Sequence, residues 1–310
     1  MSNLNTLVSD EALFDLEDLT ESGTHGVRAV VPPIKCQGIK SKLVSFIAES
    51  IEWDQSNGGT WIEPFLGSGV VLFSIQPQRA IVSDKNHHII NFYRKIQSGE
   101  ITGAVAREYL EDAGRKLLES EGSYYYDVRN RFNEQGSSLD FLFLTRACFN
   151  GVMRFNKKGG FNVPFCKKPD RFAKAYITRI ANQIDRVSQV MEGKDWEFVS
   201  GDFRDTLERA KPEDFIYVDP PYIGRHTGYI ADWTDEDASD LAELVQESSA
   251  GFALSMWREN KYRKNEHLDE CWSGNESADF DHFYHVGSTE SLRNKMVETL
   301  IIRPGFKRQD

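Results

Sequence analysis

Hydrophobic and polar positions fall along the chain in two kinds of block. One kind is a short apolar run that stops at an acid. Phe215-Ile216-Tyr217-Val218, preceded by Asp214, is β-branched and aromatic and halts at Asp219-Pro220-Pro221-Tyr222, which predicts a buried strand entering a rigid turn. Ala80 to Ser83 stop at Asp84, Glu197 to Gly201 stop at Asp202, and Thr60 to Glu63 run into Pro64-Phe65-Leu66-Gly67-Ser68-Gly69. The other kind is helical: Leu43, Phe46 and Ile47 share one face of Lys42 to Ser50, while Val70 to Ile75 and Asn86 to Ile96 follow the strands. Strands alternating with helices predict an α/β sheet. The ends of three strands, at Asp84, Asp202 and Asp219, are then expected to line one crevice.

Each of these ends carries its own chemistry. Glycines at 67 and 69 let the backbone turn tightly and approach a ligand without a Cβ in the way. An acid closing the next strand, Asp84, is how such folds grip ribose hydroxyls. At the Pro-Pro turn, proline offers no N–H, so the carbonyls of Asp219 and Pro220 are left without strand partners. A carboxylate, a bare carbonyl and the Tyr222 ring suit a planar base bearing an exocyclic amine. Two acceptors that favour a tetrahedral, increasingly positive nitrogen stabilise the transition state of attack by that amine more than its ground state.

From Gln97 to about Gly193 the pattern changes to charged helical segments broken by a basic stretch. Residues 141–175 carry Arg146, Arg154, Lys157, Lys158, Lys167, Lys168, Arg171 and Lys174 against Asp170 alone. In a chain of net charge −11, this reads as a localised footprint for an anion. Gly159-Gly160 between Phe155 and Phe161 predicts a hairpin, and Asn, Arg and aromatics interleaved with Lys suit base edges, stacking and phosphates.

Other features narrow the class. Residues 1–27 hold six acids and no Lys or Arg, so 1–30 is expected to be an acidic, flexible tail. No apolar run has membrane-spanning length and the N-terminus does not look like a signal peptide. Cys36, Cys148, Cys166 and Cys271 are scattered without paired spacing, so neither metal nor disulfides are expected. His87 and His88 read as solvated or capping residues.

Taken together, Lys35 to Lys40, Phe65 to Gly69, Asp84, Phe149-Asn150-Gly151 with Arg154, Phe161 to Phe165, Asp202-Phe203 and Asp219 to Tyr222 resemble the Dam-like, alpha-group DNA adenine-N6 methyltransferases. The resemblance runs from about Pro33 to the C-terminus. It implies an S-adenosylmethionine site at Lys40, Phe65, Gly67, Gly69, Asp84, Asp202, Phe203 and Asp219, with Asp84 at the ribose and Asp202-Phe203 at the adenine. It further implies that Asp219, Pro220, Pro221 and Tyr222 hold a flipped-out adenine. Lys35, Phe149, Asn150, Arg154 and Pro164 would meet the recognition sequence, Phe149 as a wedge, with Lys157, Lys158 and Asn162 completing the DNA surface. Where this family has Lys-Trp-x-Gly-Gly-Lys, Cys36 replaces the tryptophan that would touch the cofactor, and Ile39 replaces the second glycine.

The expected fold class is α/β, a Rossmann-like S-adenosylmethionine-dependent sheet at 31–96 and 197–310, with a mostly helical target-recognition domain inserted at 97–196. The expected activity is transfer of a methyl group from S-adenosylmethionine to adenine N6 in duplex DNA, within a GATC-containing site. Cytosine-N4 methylation, RNA adenine methylation and an idle DNA-binding relative are the alternatives. Double-stranded DNA is the expected partner, beside a cognate restriction endonuclease, for a monomer in a bacterial or phage-infected cytoplasm, on the nucleoid when bound to DNA.

Overall fold

The computed structural model describes residues 26–36, 38, 40–221, 233–260, 265–284 and 294–309. Tyr222, Ile39 and residues 1–25 of the expected tail lie outside the described residues, whereas Val30, at the end of that stretch, is packed into the core with its N–H donating to Ser74 at 2.9 Å. The sheet comprises β1 (Trp61–Glu63), β2 (Arg79–Asp84), β3 (Asp195–Ser200), β4 (Phe215–Val218), β5 (Gly251–Asn260), β6 (Glu276–Tyr284) and β7 (Asn294–Ile302). Their order is β3-β2-β1-β4-β5-β7-β6, parallel throughout except for β7, which runs antiparallel to β5 and β6. Strand order reverses between β1 and β4, and there the crevice of an open α/β sheet forms.

The period of two in β4 builds a core on each face of the sheet. Phe215 and Tyr217 join one core, where Trp61 of β1 stacks on both rings at 5.5 and 5.8 Å. Ile216 and Val218 join the other, with Ile62. Both faces being apolar is why the run reads as continuous rather than alternating. Buried Asp214 fixes the register of its start, accepting from the Thr60 N–H at 2.7 Å and the Lys211 N–H at 2.9 Å.

Helices α1 (Val44–Ser50), α2 (Val70–Ile75) and α3 (His87–Gln97) fall where the apolar spacing places them. Asn86 caps α3, its side-chain oxygen accepting from the His88 N–H. Between α3 and β3 come α4 (Gly103–Glu119), α5 (Tyr124–Gln135), α6 (Ser138–Ala147), a hairpin and α7 (Lys174–Met191). Beyond β3 lie α8 (Phe203–Leu207), α9 (Asp235–Glu247) and α10 (Glu266–Cys271). No helix among the described residues is long and apolar enough to cross a membrane.

Two expectations need correction. His88 is neither solvated nor only a helix-start residue: its ring is buried and lies 10° from parallel with Phe155 at 5.5 Å. Arg146, counted in the basic footprint, is 5% exposed. Its guanidinium donates to the carbonyls of Pro33 (2.6 Å) and Pro32 (3.3 Å) and to Gln183 (2.6 Å). Arg146 therefore ties the Pro-Pro segment before α1 to α6 and α7. Arg171 is also turned inward, donating to the Arg146 carbonyl and Tyr176.

Candidate active site

A single cavity at the switch point is lined by the ends of all three acid-terminated strands. Asp84, Asp202 and Asp219 face it, together with Cys36, Lys40, Phe65, Gly67, Phe203 and Pro221. Glu63, Trp233 and Asp237, which sequence reasoning did not select, share its wall. Gly69 does not. Its φ of 78° opens α2, and a Cβ there would strike the Phe73 ring at 2.5 Å. Gly69 thus shapes the turn, whereas a Cβ on Gly67 would project into open space.

Asp84 is held by two backbone donors, Gly67 N–H on Oδ2 at 2.9 Å and Asn86 N–H on Oδ1 at 2.8 Å. Burial nonetheless pushes its carboxyl up to about 6, because removing a charge from water outweighs two hydrogen bonds. Across the cavity Phe65, Phe203 and Trp233 form an aromatic wall, with Phe65 on Phe203 at 5.4 Å and edge-on to Trp233 at 5.5 Å. Asp202 caps α8 and meets the Arg204 guanidinium at 3.0 Å. Burial works against its charge, but the Arg204 backbone N–H and guanidinium together hold it below the ordinary carboxylate range. Arg204 also reaches Asp237 and Asp240 and lies over the Phe203 ring. It locks the acid and the aromatic in one arrangement.

At the end of β4, Asp219 meets Lys40 Nζ at 3.1 Å while keeping 22% of its side chain exposed. Burial raises its pKa, the Lys40 charge and hydrogen bond oppose the rise, and Glu298 adds to it. Glu63 accepts from the Trp61 indole at 2.9 Å, and burial pushes its carboxyl up to about 8. The Cys36 thiol is pushed up by burial and by the Asp84 charge, so it faces the cavity as a neutral group. Buried Pro220 does not line this cavity but, with Pro221, lines a second, smaller one beside Met256, Trp257 and Trp272.

The remaining selected residues gather on a separate surface. In the hairpin, Phe155 bridges Phe161, and buried Phe155, Phe161, Val163 and Phe165 alternate with outward Arg154, Asn162 and Pro164. The Arg154 guanidinium donates to the Asn162 side chain at 2.8 Å and its carbonyl at 3.2 Å. Lys157 and Lys158 are exposed at the tip. Phe149 is 52% exposed at the head of a short turn in which Asn150 takes φ 53°, and its N–H donates to the Pro164 carbonyl. The stem of Lys35 packs against Gly151. Lys35, Phe149, Asn150 and Pro164 are thus neighbours on this surface.

Residues 37–291 match the family described as D12 class N6 adenine-specific DNA methyltransferase. The chain is 30% identical over 243 residues to a type II methyltransferase of Methanocaldococcus jannaschii, covering 70% of this chain and 80% of that one. It is 30% identical over 237 residues to a DNA adenine methylase of Vibrio cholerae (72% and 78%) and 30% identical over 226 residues to the retron Ec67 DNA adenine methylase of Escherichia coli (70% and 73%).

Proposed function

The chain belongs to the D12 class N6 adenine-specific DNA methyltransferases, and from that premise we propose that Asp219 to Tyr222 receive an adenine extruded from duplex DNA. Its substrate is DNA and its methyl donor S-adenosylmethionine. The observation that carries the reading is a partly exposed Asp219 carboxylate on the wall of the same cavity that Asp84, Asp202 and the three aromatics line.

These residues fit the donor. The aromatic wall takes a purine, the fixed Asp84 carboxylate takes two vicinal hydroxyls, Asp202 takes an amino N–H, and Gly67 leaves room beside the backbone. When bound, S-adenosylmethionine supplies a methyl group already activated by a sulfonium centre.

Asp219 accepts one N–H of the target amine and the Pro220 carbonyl the other, while Tyr222 stacks on the base. As the nitrogen gains positive charge, the Asp219 carboxylate stabilises it. No base acts first, since the amine becomes acidic only then, and water takes the proton afterwards. Extruding the base costs about a few kcal/mol, repaid on the hairpin surface. There Phe149 wedges into the stack, Arg154 reads a guanine edge, and Lys157 and Lys158 meet phosphates. Residues 97–196 serve as the recognition part, 31–96 and 197–310 as the catalytic part, and the site read contains GATC.

Sequencing modified bases in DNA from cells expressing the protein tests this reading, with Asp219→Asn as control. Methylation of adenine N6 at one GATC-containing motif is expected. N4-methylcytosine, or equal methylation by Asp219→Asn, would overturn it.

A further inference from the structure

Behind Asp219 the sheet carries a second carboxylate that no motif marked. Glu298 lies on β7, opposite Trp257 of β5 and Phe280 of β6, and is 2% exposed. Its Oε2 is 3.8 Å from Lys40 Nζ, whose contact with Asp219 Oδ1 is 3.1 Å. One buried ammonium thus sits between carboxylates from two strands, one at the turn and one deep in the sheet. Placing an acid in a sheet interior opposes folding, and an apolar residue there would serve stability as well or better.

We propose that Glu298 is a positioning residue for methyl transfer: it draws the Lys40 ammonium back toward the sheet, so that Lys40 engages one oxygen of Asp219 and leaves the other as acceptor for the target amine. The inference rests on the assignment of Asp219 as that acceptor. An ammonium carries three donors. Without a second carboxylate behind it, Lys40 would close on both Asp219 oxygens and weaken them as acceptors of a developing positive charge.

Among the described residues, the charged and titratable groups facing Asp219 are Lys40 from the segment before α1, Glu63 from β1, Tyr217 from β4 and Glu298 from β7. Glu298 raises the Asp219 pKa and Lys40 lowers it. The two side chains should therefore move the acid limb of the rate in opposite directions. With Glu298→Gln the limb shifts to lower pH while the plateau falls; with Lys40→Met it shifts to higher pH.

The test measures single-turnover methylation of one duplex between about pH 5 and 9 for the wild type, Glu298→Gln, Glu298→Asp, Lys40→Met and Asp219→Asn. Fluorescence of 2-aminopurine at the target position follows base extrusion without turnover, and thermal unfolding follows the fold. Glu298→Gln should lower the plateau on the order of ten-fold, with KM for DNA and donor, the 2-aminopurine signal and the unfolding temperature near wild type. Glu298→Asp, which keeps the charge, should recover part of the rate. A wild-type plateau and limb in Glu298→Gln, with Asp219→Asn inactive, would overturn this inference alone. Equal losses in Glu298→Gln and Glu298→Asp, with lowered unfolding temperature and no limb shift, would also overturn it, by showing a merely structural role. Turnover by Asp219→Asn would instead overturn the acceptor assignment beneath it.

Discussion

The side-chain amide of Asn86 donates to the Met153 sulfur over 3.1 Å, joining the loop after β2 to the start of the Phe155–Phe161 hairpin. The Asn86 backbone N–H holds Asp84, its side-chain oxygen caps α3, and His88 two residues on stacks against Phe155. Arg154 lies between Met153 and Phe155, so the cavity carboxylate of Asp84 and the outward guanidinium of Arg154 are linked through one set of packed contacts.

Asn86→Ser keeps a side chain that can cap α3 and removes the donor to Met153. The gain in specific duplex affinity on adding the unreactive analogue sinefungin should shrink in this variant, with stability within about 1 kcal/mol of wild type. Fluorescence-anisotropy titrations with and without the analogue measure it. A gain equal to that of wild type would show that the Asn86 to Met153 contact carries no coupling.

Arg154 and the two lysines at the hairpin tip should separate by what they read. Arg154→Ala should lose about 1–3 kcal/mol of discrimination between specific and random duplexes. Asn162→Ala should lose part of that, because Asn162 holds the guanidinium. Lys157→Ala and Lys158→Ala should weaken both duplexes alike and lower the slope of log affinity against log salt by about 0.9 each. Equal loss on both duplexes for Arg154→Ala would remove its readout role.

Glu63 predicts a pH dependence of stability. Burial pushes its carboxyl up to about 8 from an ordinary 4.5, so between these values the folded protein keeps a proton that the unfolded chain releases. Its contribution is fully present below pH 4.5 and lost as pH rises through about 8. Glu63→Gln keeps an acceptor for the Trp61 indole and cannot ionise. Its stability relative to wild type should rise across this window, by on the order of a few kcal/mol at the top, and then level. Chemical denaturation of the cofactor-free protein at several pH values measures the difference, and a constant difference would mean that Glu63 titrates normally.

Cys36 lines the cavity where the family resemblance calls for an aromatic. Cys36→Trp should tighten S-adenosylmethionine binding by about 0.5–1.5 kcal/mol through ring stacking, read by calorimetry. Weaker binding, relieved when Ile39→Gly is added, would mean that Ile39 fills the space a tryptophan needs.

The sequence by itself determined the strands that carry the acids and the convergence of Asp84, Asp202 and Asp219. Those features depend on local period and turn chemistry, and proline and glycine write them directly into the chain. The hairpin was legible for the same reason: Phe155 and Phe161 flank a Gly-Gly turn, and their alternation with Arg154 and Asn162 fixes which residues face outward. Tertiary structure alone decided which charges are spent inside. Arg146 and Lys157 are both bases in one stretch, yet the first closes on the Pro32 and Pro33 carbonyls and the second stays exposed. Trp233 and Glu298 reach the site from positions no motif includes, while Glu63 and Arg204 adjoin motif residues yet show their roles only through burial and ion pairing. A carboxylate such as Glu298 acquires its place only when β7 inserts antiparallel beside β5 and brings it to within 3.8 Å of Lys40, because electrostatics and burial act through space and the sequence orders residues only along the chain.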